Sequence, residues 1–217
     1  MIEVKGLVKL FNSGRQSVTA LDNIDLHIKR GEFTLIKGPS GCGKSTLLFT
    51  MGGLLKPSAG AVRISGKELY SLSGKELLQY RTQQVGFVFQ SYYLMPYLTV
   101  AENILISNQL KGVSFSNDEV QQVAKRLKIA HRLNHKPSEL SVGEKQRTCL
   151  ARAMIVKPEV ILADEPTGNL DPENAAEVLR YLNEFKAEGG TVVMVTHGTE
   201  ADTFATRQIE MKEGRII

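Results

Sequence analysis

Glu32-Phe33-Thr34-Leu35-Ile36-Lys37-Gly38-Pro39-Ser40-Gly41-Cys42-Gly43-Lys44-Ser45 decides how the rest of this 217-residue chain is read. Its first six residues, Glu32 to Lys37, are rich in Phe, Leu and Ile and stop at a glycine, the form of a short buried strand. The next eight fill the pattern G-x-x-x-x-G-K-[ST], a loop that joins a strand to a helix. Glycines let such a loop curl until its N–H groups converge, and a helix opening near Gly43 adds the positive end of its dipole. The ligand expected of it is a phosphate chain. Lys44 would reach the β- and γ-phosphates and Ser45 would ligate Mg2+, with Gly38, Pro39, Ser40, Gly41, Cys42, Gly43 and Thr46 completing the cradle.

Val85 to Phe89, Val160 to Asp164 and Thr191 to Thr196 have the same strand form, short apolar runs bounded by Gly, Pro or Asn. Pro172 to Lys186 carries Ala175, Val178, Leu179, Leu182 and Phe185 at steps of three and four, the stripe of an amphipathic helix, with Pro172 suited to its first turn. Strand, helix and strand in series predict an α/β fold with a mostly parallel sheet, helices on both faces, and a ligand crevice at the carboxyl ends of the strands. The first thirty residues, with Ile2, Val4, Val18, Leu21, Ile24, Leu26 and Ile28 among polar neighbours, predict half-buried antiparallel strands in a second, smaller sheet. From Val100 to about Val156 the pattern turns helical, and Ser116-Asn117-Asp118-Glu119 has the form of a capping box. We expect one domain, 1–217, with a helical insert of about residues 91–156 between two core strands.

With 42% hydrophobic and 23% charged residues, the chain has enough apolar material for a core, which excludes the disordered, collagen-like and disulfide-scaffold classes. The longest apolar runs, such as Val160 to Ala163 and Val192 to Val195, fall far short of the ~18 residues that cross a bilayer. Met1 to Lys5 alternates charged with apolar residues and lacks the hydrophobic run of a signal peptide, so a cytoplasmic location is expected. Cys42 and Cys149 belong to no paired-cysteine motif, and two free thiols are expected rather than a zinc site. A formal charge of +4 is mild. The basic run Lys125, Arg126, Lys128, Arg132 and Lys136 has no interleaved aromatic and reads as a solvated helix face, so no nucleic acid is expected.

Val160 to Glu165 is an apolar strand ending in two carboxylates, in which Asp164 suits Mg2+. Glu165 beside it is placed to orient or deprotonate an attacking water, a contribution of ~100 to 10,000-fold. Ser141 precedes another helical stretch and suits its N-cap, leaving N–H groups free for an anion.

Leu140-Ser141-Val142-Gly143-Glu144-Lys145-Gln146-Arg147 resembles the signature sequence of the ATP-binding cassette (ABC) family. Glu144 replaces the glutamine of the usual Leu-Ser-Gly-Gly-Gln and Val142 its first glycine, the latter a departure that puts the local loop geometry in question because a Cβ limits backbone freedom. The resemblance spans nearly the whole chain: Gln90 resembles the Q-loop glutamine, Gly168-Asn169-Leu170-Asp171 the D-loop, and His197 the switch histidine, although Gly198 follows where many relatives have aspartate. Phe11 falls where the family has its adenine-stacking aromatic. The resemblance implies a P-loop NTPase core with antiparallel and helical subdomains, and an ATPase whose cofactors are ATP and Mg2+. It implies Lys44, Glu165, His197 and Gln90 as catalytic residues, and Ser45, Asp164 and Gln90 as metal ligands. It further implies a head-to-tail pair of copies in which Ser141, Gly143 and Glu144 of one chain close over the nucleotide of the other.

Tyr92, Tyr93, Met95 and Tyr97 concentrate just after Gln90. Aromatics and Met favour interfaces, and in the family this region receives a membrane permease, while a turn packed into the helical insert explains the cluster equally well. Within the family, Gly168 to Asp171 following Asp164-Glu165-Pro166-Thr167 is most similar to ATPases of lipoprotein-releasing transporters and of macrolide or peptide exporters. The cell-division ATPase that activates wall hydrolases is a close alternative, and a soluble cassette acting on DNA or ribosomes a more distant one.

Overall fold

β1 (Ile2–Ser13), β2 (Gln16–Ile28), β3 (Phe33–Lys37), α1 (Lys44–Met51), β4 (Ala59–Ile64), β5 (Lys67–Glu68), α2 (Gly74–Gln84) and β6 (Val85–Phe89) form the first half of the chain. They are followed by α3 (Val100–Ile104), α4 (Asn117–Arg126), α5 (Val142–Met154), β7 (Val160–Asp164), α6 (Pro172–Ala187), β8 (Thr191–Val195), β9 (Arg207–Lys212) and β10 (Arg215–Ile216). The computed structural model describes residues 1–13, 16–106 and 114–217. Residues 107–113 of the stretch expected to be helical lie outside it.

β1 and β2 pair antiparallel as their alternation predicts, with Ile2 opposite Ile28 and Val4 opposite Leu26. These strands join β4 and β5 in a sheet ordered β2-β1-β4-β5. One expectation fails at the far end of the hairpin, where Val18 is 59% exposed. It pairs with Phe11 beyond the part of β2 that packs on the core.

The second sheet runs β10-β9-β3-β8-β7-β6, parallel from β9 to β6, with β10 turning back antiparallel on β9. Both faces of its central strands are buried, so their residues read as continuous apolar runs and divide alternately between two cores. Ile36, Leu162, Val193 and Val195 face one side with Leu47, Leu48 and Met51 of α1 and the antiparallel sheet. Leu35, Ile161, Ala163, Val192 and Met194 face the other with Cys149, Leu150 and Ala151 of α5 and Val178, Leu179 and Leu182 of α6.

Each helix stops and starts for a local reason. Ser73, Thr99, Ser116 and Ser141 each accept a hydrogen bond from the backbone of the glutamate three residues on, whose carboxylate caps them in return. Such reciprocal caps satisfy two of the donors that a helix start leaves open. α1 is the exception, because its N-cap is Gly43 in a left-handed conformation (φ 104°) with no side-chain cap. Its first N–H groups are left for another acceptor.

Register levels the parallel strands. Ile36 lies beside Val195, Val195 beside Asp164, and Asp164 beside Phe89. The residues that leave the sheet next, Lys37, Thr196, Glu165 and Gln90, therefore emerge along one edge. Leu162 is fully buried at the centre of this arrangement. Leu162→Ala should cost ~2 to 5 kcal/mol of unfolding free energy in urea titration; a loss under ~1 kcal/mol would mean that the sheet does not pack this tightly.

Candidate functional site

The loop after β3 is closed by its own lysine. Lys44 is 5% exposed, and its Nζ donates to the carbonyls of Gly38 at 2.8 Å and Pro39 at 2.9 Å. A buried ammonium together with the uncapped start of α1 makes a concentrated positive site. Gly43 cannot be replaced there, since a Cβ would collide with the carbonyl oxygen of Ala20 and the backbone is left-handed. The side chain of Cys42 is buried and unpaired with Cys149, and both thiols are free.

Opposite the loop, Ser45 Oγ donates to Asp164 Oδ1 at 2.7 Å. Burial raises the Asp164 pKa, with the Glu165 charge adding to the rise and the Ser45 hydrogen bond and Lys44 opposing it. A hydroxyl and a carboxylate held this close form an oxygen donor pair of the kind that hard divalent cations take.

Glu165 has φ 43°, a left-handed conformation that costs a non-glycine residue ~1 to 3 kcal/mol and persists only where its surroundings enforce it. Here its N–H donates to Val195 O at 3.0 Å and its carbonyl accepts from Gly168 N at 3.1 Å. The turn swings the carboxylate away from the sheet to His197, whose Nδ1 lies 3.1 Å from Glu165 Oε1. The imidazole is two-thirds exposed, the carboxylate largely covered. Glu200 fills the space beside Gly198, where a Cβ would collide with its carboxylate. Gln90, leaving β6 at the same level, places its amide against Gly168, and its carbonyl accepts from Asn169 Nδ2 at 3.3 Å.

Lys44, Ser45, Asp164, Glu165, His197 and Gln90 thus gather along one edge of the sheet. Phe11 stands apart on β1, 43% exposed, with Lys9 Nζ 5.0 Å from its ring centre. Its β2 neighbour Val18 is two residues from Ala20, whose carbonyl abuts Gly43.

Ser141 is not brought into this group. It caps α5, which packs on the opposite face of the sheet from α1. Ser141 Oγ accepts from Glu144 N at 3.2 Å while Glu144 Oε2 accepts from Ser141 N at 2.8 Å. Arg132 Nε donates to the other oxygen of Glu144 at 2.7 Å, and His131 lies 3.4 Å from it. Burial works to raise the Glu144 pKa, yet the Arg132 and Ser141 hydrogen bonds prevail and hold it down to about 2. Val142 opens α5 with a negative φ, so the glycine usual at this position is not needed for backbone freedom. Three of the basic residues expected on a solvated face are paired, Arg126 with Glu188, Lys128 with Glu177 and Arg132 with Glu144.

Residues 21–168 match the family model described as ABC transporter. The chain belongs to the ABC transporter family. It is 39% identical over its whole length to the lipoprotein-releasing system ATP-binding protein LolD of Geobacter metallireducens, of which it covers 98%. It is 42% identical to the macrolide export ATP-binding/permease protein MacB of Vibrio parahaemolyticus, where it spans 34% of the relative's length. The MacB relatives it matches are thus about three times longer than this cassette. A dimeric ATP-binding cassette, MJ0796, solved in a post-hydrolysis state with ADP and Pi, superposes with TM-score 0.91 at 38% identity, covering all of this chain and 96% of that one. The family match and the ATP-binding relatives support ATP as the nucleotide of this cassette.

Because its folded pKa lies below the ordinary 4.5, Glu144 stabilises the chain fully above that pH and loses this effect as pH falls toward about 2. Glu144→Gln should therefore lower stability by ~0.5 to 2 kcal/mol at pH 7, with the gap to the native chain narrowing at pH 3 in urea titrations. An equal gap at both values would show that the Glu144 charge does not hold the cap.

Proposed function

We propose that this chain is the ATP-hydrolysing subunit of a membrane transporter, working as a head-to-tail pair of copies around two ATP molecules. One observation carries the reading: the phosphate loop, Asp164, Glu165 and His197 gather at one sheet edge, while the serine-capped helix start at Ser141 lies on the other face. Each chain holds two unlike halves of a site, and a rotation that pairs them completes two sites at once. The dimeric MJ0796 cassette supports the pairing of two copies.

Lys44 reaches the carbonyls of its own loop; on ATP it would turn to the β- and γ-phosphates, with N–H groups from Gly38 to Thr46 enclosing the chain of phosphates. Ser45 and Asp164, with Gln90, would hold Mg2+, which would supply positive charge against the phosphates. Glu165 accepts the proton of the attacking water as it adds to the γ-phosphorus, and the bond to the β-phosphate oxygen breaks. His197, whose Nδ1 lies 3.1 Å from Glu165 Oε1, positions that carboxylate against the γ-phosphate. Phe11 stacks on the adenine. From the second copy, Ser141 and the Gly143 N–H close over the γ-phosphate; Glu144, occupied by Arg132 and Ser141, shapes that helix start. Loss of the γ-phosphate removes what both chains bind, and the pair loosens.

Among the described residues no helix is long and apolar enough to cross a membrane, and the LolD relative matches this chain end to end as an ATP-binding protein. We place the transport path in a membrane permease, against whose cytoplasmic side this cassette sits. The docking surface is the turn after Gln90. Tyr92 (φ 59°) and Tyr93 (φ 48°) are held left-handed, and Arg152 donates 2.6 Å hydrogen bonds to both their carbonyls. Tyr93 meets Phe89 edge to face at 5.0 Å, beside an apolar groove of about 290 Å³ along β6. Tyr93, Met95 and Tyr97 are exposed, Tyr97 by 86%. Lipoprotein release or export of a macrolide or peptide is the work we assign to the complex.

Glu165→Gln should bind ATP normally and hydrolyse it at least ~100-fold more slowly; near-normal turnover would remove Glu165 as the base. Ser141→Arg should spare ATP binding and abolish turnover, and full turnover in that variant would contradict a shared site.

A further inference from the structure

Gly143 has no backbone need to be glycine. It is the second residue of α5, in ordinary helical conformation, where alanine is the more stable choice by ~1 kcal/mol. Its constraint comes from outside the helix: a Cβ there would collide with Asn174 Oδ1 and lie 2.5 Å from Asn174 Cγ and 3.1 Å from Nδ2. These are the nearest atoms it would meet, and all three belong to one side chain on α6.

Asn174 uses that space to join two segments. Its N–H donates to Asp171 Oδ1 at 2.9 Å and its Nδ2 donates to Asp171 Oδ2 at 2.7 Å, so it fixes the carboxylate that ends the loop Gly168–Asp171 and caps α6. Its Oδ1 accepts from Arg147 at 2.8 Å, one turn along α5 from Gly143, and Arg147 continues to Glu177 at 3.0 Å. Arg147 is 12% exposed, so this bridge is largely screened from water and correspondingly stiff.

We propose that Asn174 is a positioning residue that locks the start of α5 to the loop Gly168–Asp171, and that Gly143 is glycine in this chain in order to admit it. The inference rests on the shared-site reading above, in which Ser141 and Gly143 meet the γ-phosphate of the second copy. A shift of the α5 start on meeting that phosphate is carried through the Asn174 amide to Asp171. The loop that moves is the one whose Gly168 N–H bonds Glu165 O and whose Asn169 bonds Gln90. Closure over one nucleotide is thereby coupled to the catalytic end of the chain that provides the closing helix.

A double-mutant cycle on turnover tests this. Asn174→Ala should lower kcat ~3 to 30-fold, as loss of a coupling contact does, while KM for ATP and thermal midpoint stay close to native. Gly143→Ala should lower kcat by at least ~10-fold through overpacking, and Gly143→Ala added to Asn174→Ala should cost nothing further. The inference is overturned if Gly143→Ala slows the Asn174→Ala chain as much as the native one, because glycine would then serve only the phosphate. It is also overturned if Asn174→Ala leaves kcat within twofold of native. Should Gly143→Ala not fold, Asn174→Asp decides: it keeps the volume and the acceptor for Arg147 but sets a carboxylate against Asp171. A kcat loss with KM unchanged supports the lock, and native kcat refutes it. ATP-driven pairing of Glu165→Gln chains is the control, since its absence would remove the shared site and this inference with it, whereas pairing with an additive cycle removes the inference alone.

Discussion

Everything at the catalytic edge depends on the level at which four parallel strands end. Ile36, Val195, Asp164 and Phe89 lie side by side in the ladder, and a slip of one residue in any strand would turn its side chains to the other face. The apolar runs prevent that slip, because each strand divides its residues between two filled cores. Stability and catalysis therefore share one constraint. The left-handed turn at Glu165 is affordable only because Val195 beside it supplies the carbonyl that its N–H needs.

The same geometry underlies the proposed pairing of two chains. α1 and α5 both present helix starts suited to anions, α1 with no cap at all and α5 with a serine cap, yet the sheet lies between them. A fold that places two complementary anion sites on opposite faces cannot bring them together by closing a loop. It can do so by meeting a copy of itself, and in the pairing proposed above the negative γ-phosphate is the element that both copies would contact. The charge of Glu144, which would repel that phosphate if free, is taken up by Arg132 and the Ser141 N–H.

Much of this was legible in the sequence where local chemistry is specific. The loop Gly38 to Ser45, the carboxylates Asp164 and Glu165, and the strands that deliver them are encoded in contiguous residues. α6 and the cap at Ser116 were equally clear, since their patterns need no distant partner. Less legible were β4, β9 and α2. Ile209 and Met211 alternate in only six residues, and α2 buries Tyr80 alone, although Ser73 and Glu76 carried the capping signal that would have found it. Val18 looked like a core residue because alternation gives the face of a strand but not where the neighbouring core ends. Arg132 holds the Glu144 carboxylate from twelve residues earlier, and no local pattern marks that contact. The contact of Asn174 with Gly143 joins two helices far apart in the chain, and no local pattern marks it.

The central claim is that two copies complete each other's site, and the mass of the Glu165→Gln chain in solution tests it most directly. Light scattering with Mg-ATP should give the mass of two chains, falling to one when ATP is omitted or Ser141→Arg is added. A single-chain mass at saturating ATP and high protein concentration, in a sample shown to hold the nucleotide, would contradict the account.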